Sequence, residues 1–266
     1  MKQIASYRNS MEVRSMTIGT LLLLVLAGCA TGLVNVMAGG GSLIAMPVLH
    51  LMGYAGPLAN GTNRVAILVQ DLTALVNYFR NGYKELRLGV YLAACALPGA
   101  TLGAYLGTKL EGVWFERTLA LVMFGVLALM ATDRKSAPEH APAIIITPRR
   151  YALAGVLMVG AGFYGGFIQA GVGFILMAIL HRVLGLDLVR VNMHKVFIGA
   201  CYTVVTLAIY ASRGQVNWLV GLVLAVGNAL GAYLGSVMTL KKGERWIRIV
   251  FNIALVAMAI KLLFDL

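Results

Sequence analysis

The chain has 266 residues, 60% of them hydrophobic and 12% charged, with 22 Lys and Arg against 10 Asp and Glu for a formal charge of +12. Soluble domains carry about 45–50% apolar and roughly 25% charged residues, which excludes an ordinary soluble enzyme or nucleic-acid-binding domain. The basic excess fits loops that face anionic lipid, because no basic stretch is interleaved with stacking aromatics.

No alternation of short polar and apolar segments marks a transmembrane β-barrel. The expected fold class is therefore all-α, a polytopic transmembrane helical bundle. In chain order, a basic tail over 1–16 leads into an apolar segment at 17–38. Leu26-Ala27-Gly28-Cys29 resembles a lipoprotein cleavage box, but Thr31-Gly32-Leu33-Val34 keeps the run apolar, so an uncleaved first helix is expected. Further segments fall at 42–52, 64–79, 88–107 and 114–131. A polar stretch, DRKSAPEHAPAIIITPRR, then precedes segments at 151–169, 173–184, 193–212, 215–238 and 246–264. Segments 42–52 and 173–184 are shorter than the roughly 20 residues that cross a bilayer and read as broken or re-entrant helices. Cys29, Cys95 and Cys201 form no CxxC pair and read as small packing residues.

The two sets of five are copies. An offset of 132 residues pairs Gly39 with Gly171, Gly41 with Gly173, Gly53 with Gly185, Asn60 with Asn192, and Gly82 with Gly214. After a four-residue shortening, GAYLG at 103–107 meets GAYLG at 231–235. The organisation is thus a tail (1–16), a first transmembrane repeat (17–131), a central loop (132–150) and a second transmembrane repeat (151–266). An odd number of crossings per copy inverts the second copy relative to the first, the architecture of secondary transporters. The larger share of Lys and Arg falls on the central-loop side, which places that side in the cytoplasm, although the basic N-terminus argues the other way.

Within each copy a glycine-rich stretch, AGGGS at 38–42 and AGVGF at 170–174, interrupts the apolar run. Each glycine costs about 0.8–1.0 kcal/mol relative to Ala in a helix interior, so these stretches read as breaks. The new N-termini, with Gly39, Gly40, Gly41 and Ser42 in one copy and Gln169, Gly171 and Gly173 in the other, suit a small anion. Close packing is the competing reading, and it is the expectation for the GxxxGxxxG runs at 99–107 and 227–235. Asn60, Thr62, Asn63 and Arg64 open the third segment, and Asn192, His194 and Lys195 open its copy. An intramembrane cation normally has a task or a partner, so Arg64 and Lys195 are candidate anion ligands, unless both snorkel to a loop. Asp71 is a candidate for proton coupling or for pairing with Arg64 one helical face away, and His194 is a second candidate proton carrier.

No His, Cys or carboxylate set has metal-ligand spacing, and no nucleophile triad, phosphate loop or dinucleotide fingerprint appears. No metal site, cofactor or enzymatic activity is expected.

The glycine-rich break, the stretch GYAGPLANGTNRVA at 53–66, the NG and RG turns at 81–82 and 213–214, and the duplicated GAYLG blocks resemble the TauE/SafE family of sulfite exporters. The resemblance spans about 17–264. It implies a multi-pass permease of the bacterial inner membrane that moves sulfite or organosulfonates, with the bilayer and a small anion as partners; a homodimer is compatible with it. The second copy departs from the pattern, with AGVGF for AGGGS and NMHKV for GTNRV, so the two half-sites are not equivalent. Two rivals stand beside the anion transporter: a cation or metal permease, which would need more buried carboxylates than Asp71, and a non-transport membrane assembly factor.

Overall fold

The structure, a computed structural model, describes residues 18–54, 56–109 and 147–264. The N-terminal tail, the expected segment 114–131 and most of the central loop lie outside the described residues.

Eight helices account for the described residues: α1 (Ile18–Ala38), α2 (Ser42–Leu51), α3 (Gly56–Arg80), α4 (Leu86–Gly107), α5 (Pro148–Phe167), α6 (Val172–Ala178), α7 (Leu188–Ser212) and α8 (Trp218–Phe264). A π-helical turn, Ile179–Val183, extends α6. By length and composition α1, α4, α7 and the Trp218–Lys241 part of α8 each suffice to cross a membrane.

The 132-residue offset recurs in the helix bounds and in the left-handed glycines. Adding 132 to the bounds of α3 and to the first residue of α4 returns the bounds of α7 and the start of α8 (56 to 188, 80 to 212, 86 to 218). Glycines paired by the same offset share left-handed backbones: Gly39 with Gly171, Gly53 with Gly185, and Gly82 with Gly214. The NG and RG turns are helix stops. At Gly82 the next residue, Tyr83, donates its N–H back to the Tyr78 carbonyl at 3.1 Å, and at Gly214 Gln215 donates to Tyr210 at 3.0 Å. A left-handed residue after the last turn is what closes the orphan carbonyls this way. The starts of α7 and α5 are capped by side chains. Asp187 accepts from the N–H groups of Val189 and Arg190, and Thr147 accepts from Arg150.

Two expected boundaries move. α3 and α7 begin earlier than the apolar runs at 64 and 193, so the polar clusters 60–64 and 192–195 lie inside helices instead of opening them. The polar side chains bond to tertiary partners, which offsets their weak helix propensity. Segments 215–238 and 246–264 form one helix, α8. The connecting LKKGERW has no proline, and its single glycine is too weak a breaker among Leu, Lys, Glu and Arg.

The glycine runs pack helices. A Cβ at Gly99 or Gly103 of α4 would overlap the carbonyls of Val159 or Phe163 in α5, and one at Gly227 or Gly231 of α8 would overlap those of Val25 or Cys29 in α1. Close backbone approach is what small residues permit between membrane helices, so the packing reading holds for both runs. Contacts fix direction as well. Gly28 meets Leu224 and Gly32 meets Asn228, so α1 and α8 run the same way, and α3 joins them through Gln70–Asn228 and Asn77–Ser236. α4, α5 and α7 form a second parallel set, through Ala96–Gly162 and Ala100–Gly166 on one side and Glu85–Arg190 and Gly89–Phe197 on the other. α3 and α7 run oppositely, with Arg64 on Thr206 and Asp71 on Gly199. Helices that correspond under the 132-residue offset therefore point in opposite directions.

Two glycines that look alike in sequence should behave in opposite ways. Gly103→Leu puts a side chain into the backbone of α5 and should lower the thermal unfolding midpoint of the purified protein sharply or prevent its accumulation. Gly160 lies on the exposed face of α5, where an added Cβ would meet nothing within 4 Å. Gly160→Ala should raise stability by about 0.4–1 kcal/mol. Equal midpoints for the two variants would overturn the packing assignment.

Candidate functional site

Both glycine-rich stretches interrupt their helices, and the two interruptions touch. A Cβ at Gly39 would overlap the backbone of Gly173, and one at Gly173 would overlap that of Gly39. Gly40 lies against the Phe174 ring, and Gly41 against the Thr31 carbonyl and Asn35. Three consecutive glycines are needed because two backbones and a ring cross here without room for side chains.

Each interruption leaves a helix C-terminus whose carbonyls need donors. Lys195, from α7, donates to the carbonyls of Asn35 (3.0 Å) and Val36 (2.9 Å) at the end of α1, and to Asn192 Oδ1 (2.7 Å). Arg64, from α3, donates through Nη2 to the carbonyls of Gly165 and Gly166 at the end of α5. Its Nη1 reaches Gln169 Oε1 (3.1 Å) and Thr206 Oγ1 (2.8 Å), and its plane lies 4.6 Å from the centre of the Tyr210 ring. Each half of the chain thus supplies a cation to the broken first helix of the other. The basic side chains meet the negative C-terminal ends, and neither snorkels outward. Asp71 does not pair with Arg64; its Oδ1 accepts from Gln70 Nε2 at 2.9 Å.

Beside the crossing lies a cavity of about 20 Å³ lined by Asn35, Ile67, Asp71, Gln169, Val172, Gly173, Leu176, Lys195, Gly199 and Tyr202. That is room for about one water. Lys195 and Asp71 face it from opposite helices, 4% and 5% exposed. Gln169 donates to the Tyr202 hydroxyl at 3.2 Å while accepting from Arg64, which ties the cavity to the second cation. The Gln169 backbone is left-handed, the only such residue other than glycine among the described ones.

The remaining candidates lie around this crossing with partners of their own. Ser42 accepts from Asn63 Nδ2 at 3.2 Å and does not cap α2. Asn60 donates to the Phe167 carbonyl and to the Tyr210 hydroxyl, both at 2.8 Å, closing the end of α5 beside Arg64. Thr62 accepts from the N–H of Asn217 just before α8. Asn192 holds Lys195 and donates to the Met37 carbonyl at 3.3 Å. Gly171 forms the left-handed cap before α6. His194 is directed away: it is fully buried, but its Nε2 lies 3.6 Å from Glu85 at the start of α4, where Arg190 holds the same carboxylate at 3.2 Å. Neither a ligand role nor a relay through the cavity follows for His194 from that position.

Sequence reading missed Asn35, Gly199, Tyr202, Thr206 and Tyr210. The signal was there for the last four. From Lys195 they recur along α7 at intervals of three and four residues, one face of a helix carrying polar groups through an apolar segment. Asn35 is a single amide in an apolar run one turn before the break.

The family model described as sulfite exporter TauE/SafE matches residues 24–262. A "probable membrane transporter protein ORF9" from a Sinorhizobium species is 28% identical, over 92% of this chain and 93% of the relative. A "probable membrane transporter protein" from Haemophilus influenzae is 28% identical, over 94% and 98%. The "probable membrane transporter protein YfcA" of Escherichia coli strain K12 is 26% identical, over 88% and 86%. No solved structure matches.

Proposed function

The chain belongs to the sulfite exporter TauE/SafE family, and from that membership and the Lys195 cavity we propose a secondary transporter that moves small sulfur-containing oxyanions, sulfite foremost, across the bacterial inner membrane. The observation that carries the reading is one ammonium group buried at the crossing of two broken helices. A cation so deep in an apolar bundle is costly, and function is the usual reason it is kept. Asn35, Gln169 and Tyr202 beside it supply the amide and hydroxyl groups that orient an oxyanion.

Alternating access is part of the proposal. The cavity is too small for sulfite with its oxygens, so binding requires the lining to open, and the two interruptions are the natural hinges. The opposed directions of corresponding helices support reading the two repeats as inverted. Asp71, within the same cavity, is the group we assign to proton coupling. Orientation follows from charge: Arg80, Lys84, Arg87, Arg149, Arg150 and Arg190 lie at one end of the bundle and Lys109 and Arg213 at the other. The positive-inside tendency assigns the first end, with the central loop, to the cytoplasm.

Proteoliposomes containing the chain should move labelled sulfite down an imposed sulfite or proton gradient. No flux above protein-free vesicles under either gradient overturns the proposal.

A further inference from the structure

The cavity offers a ligand a restricted charge balance. Asp71 and Lys195 both line it, so carboxylate and ammonium enter the sum with opposite signs. Asp71 Oδ1 is engaged by Gln70, and Oδ2 points at Gly199, where any Cβ would overlap it. The glycine at 199 is thus required to leave the carboxylate its place against α7. The second cation adds the same unit charge whichever anion enters, from one hydrogen bond behind the lining through Gln169. Arg64 is absent from the lining, and its two terminal nitrogens are taken by Gln169, Thr206 and the Gly165 and Gly166 carbonyls. Lys195 itself has three N–H groups, and all three already meet oxygen acceptors. The other polar lining groups, Asn35, Gln169 and Tyr202, are neutral amides and a phenol.

A monoanion entering beside one ammonium and one carboxylate leaves a net charge of minus one. A dianion leaves minus two, with both its charges near Asp71. Charges interact far more strongly in a buried site than in water, so the difference is large. Hydrogensulfite has an added advantage, because its O–H can donate to the Asp71 carboxylate while another oxygen accepts from Gln169 and the Lys195 ammonium, its own N–H groups engaged, acts through its charge. No covalent bond changes; the proton is shared between two acids. We infer that the site selects oxyanions carrying a single negative charge, and that Asp71 is the residue that rejects dianions. The inference rests on the anion-transport reading and narrows its substrate class to hydrogensulfite and monoanionic sulfonates.

The test measures binding to the full-length chain in lipid nanodiscs with anions whose charge does not change near neutral pH. Perchlorate and sulfate are tetrahedra of four oxygens that differ by one charge, and methanesulfonate adds a monoanion with a sulfonate head. Wild-type protein should bind perchlorate and methanesulfonate at least tenfold more tightly than sulfate. Asp71→Asn should close that gap to within threefold by gaining sulfate affinity, not by losing the monoanions. Equal or tighter sulfate binding by the wild type overturns the inference, as does an undiminished gap in Asp71→Asn. The wild-type comparison decides by itself should the variant not fold. If none of these anions nor sulfite binds, the transport reading itself fails, an outcome distinct from sulfate binding as well as the monoanions.

Discussion

Arg64→Met should cost the fold more than any other substitution in the polar interior. Arg64 is fully buried, and removing it strips donors from the Gly165 and Gly166 carbonyls, from Gln169 Oε1 and from Thr206 at once. Hydrogen bonds from a charged donor are the strong kind, and each buried acceptor left without a donor costs about 1–3 kcal/mol. Methionine matches the length of the stem, so the loss comes from the guanidinium and from its contact with the Tyr210 ring. The end of α5 would then keep Asn60 and Tyr210, which donate to the Phe167 carbonyl and to neither Gly165 nor Gly166. Arg64→Lys should recover less than half of the loss, because an ammonium is a point donor and cannot span four acceptors in a plane. Thermal unfolding of purified variants checks this. A midpoint for Arg64→Met within a degree of the wild type would show that the carbonyls of α5 do not need the guanidinium. The expectation differs from one drawn from sequence alone, in which Arg64 and Lys195 are both candidate anion ligands.

That difference shows where sequence reading stops. The glycines announced the repeat, the two breaks and the helix–helix faces, because only a missing side chain permits a left-handed turn or a carbonyl at backbone distance. Gly82 and Gly214, and Gly103 and Gly231, were legible for that reason. The cations were legible as residues that an apolar bundle does not hold without cause. Their partners were not. Arg64 and Lys195 bind main-chain carbonyls, and a carbonyl has no letter: Gly165, Val36 and Asn35 look the same in sequence wherever their oxygens point. The reading that both positive helix N-termini face an anion followed from the breaks, but every break also makes a C-terminus, and the long α1 and α5 present theirs to the basic side chains. Tyr202 and Thr206 are in plain view as a polar stripe on α7. His194, next to Lys195, was assigned to the same site by proximity along the chain, yet adjacent residues on a helix point about 100° apart. The single helix of α8 escaped for a plainer reason, since a charged stretch without proline is as good a helix as a loop.

Lys195→Met should abolish anion transport, and the contrast with Arg64 is what makes the expectation specific. Lys195 is the cation that lines the cavity, so a ligand there loses its charge partner entirely. Truncating one member of a buried, hydrogen-bonded charge pair costs about 2–5 kcal/mol, which at 1.4 kcal/mol per tenfold is roughly 30-fold to several thousandfold in affinity. A structural cost comes with it, because the Asn35 and Val36 carbonyls and Asn192 Oδ1 lose their donor. The two effects separate in one experiment. Sulfite added to wild-type protein should raise its unfolding midpoint, since a ligand that binds only the folded state stabilises it. Lys195→Met should start from a lower midpoint and show no rise at any sulfite concentration that saturates the wild type. Arg64→Lys, if it folds, should start low as well but keep the rise, because its cation stands outside the cavity lining. A sulfite-dependent rise that survives in Lys195→Met and vanishes in Arg64→Lys would exchange the two roles and move the binding site from the end of α1 to the end of α5.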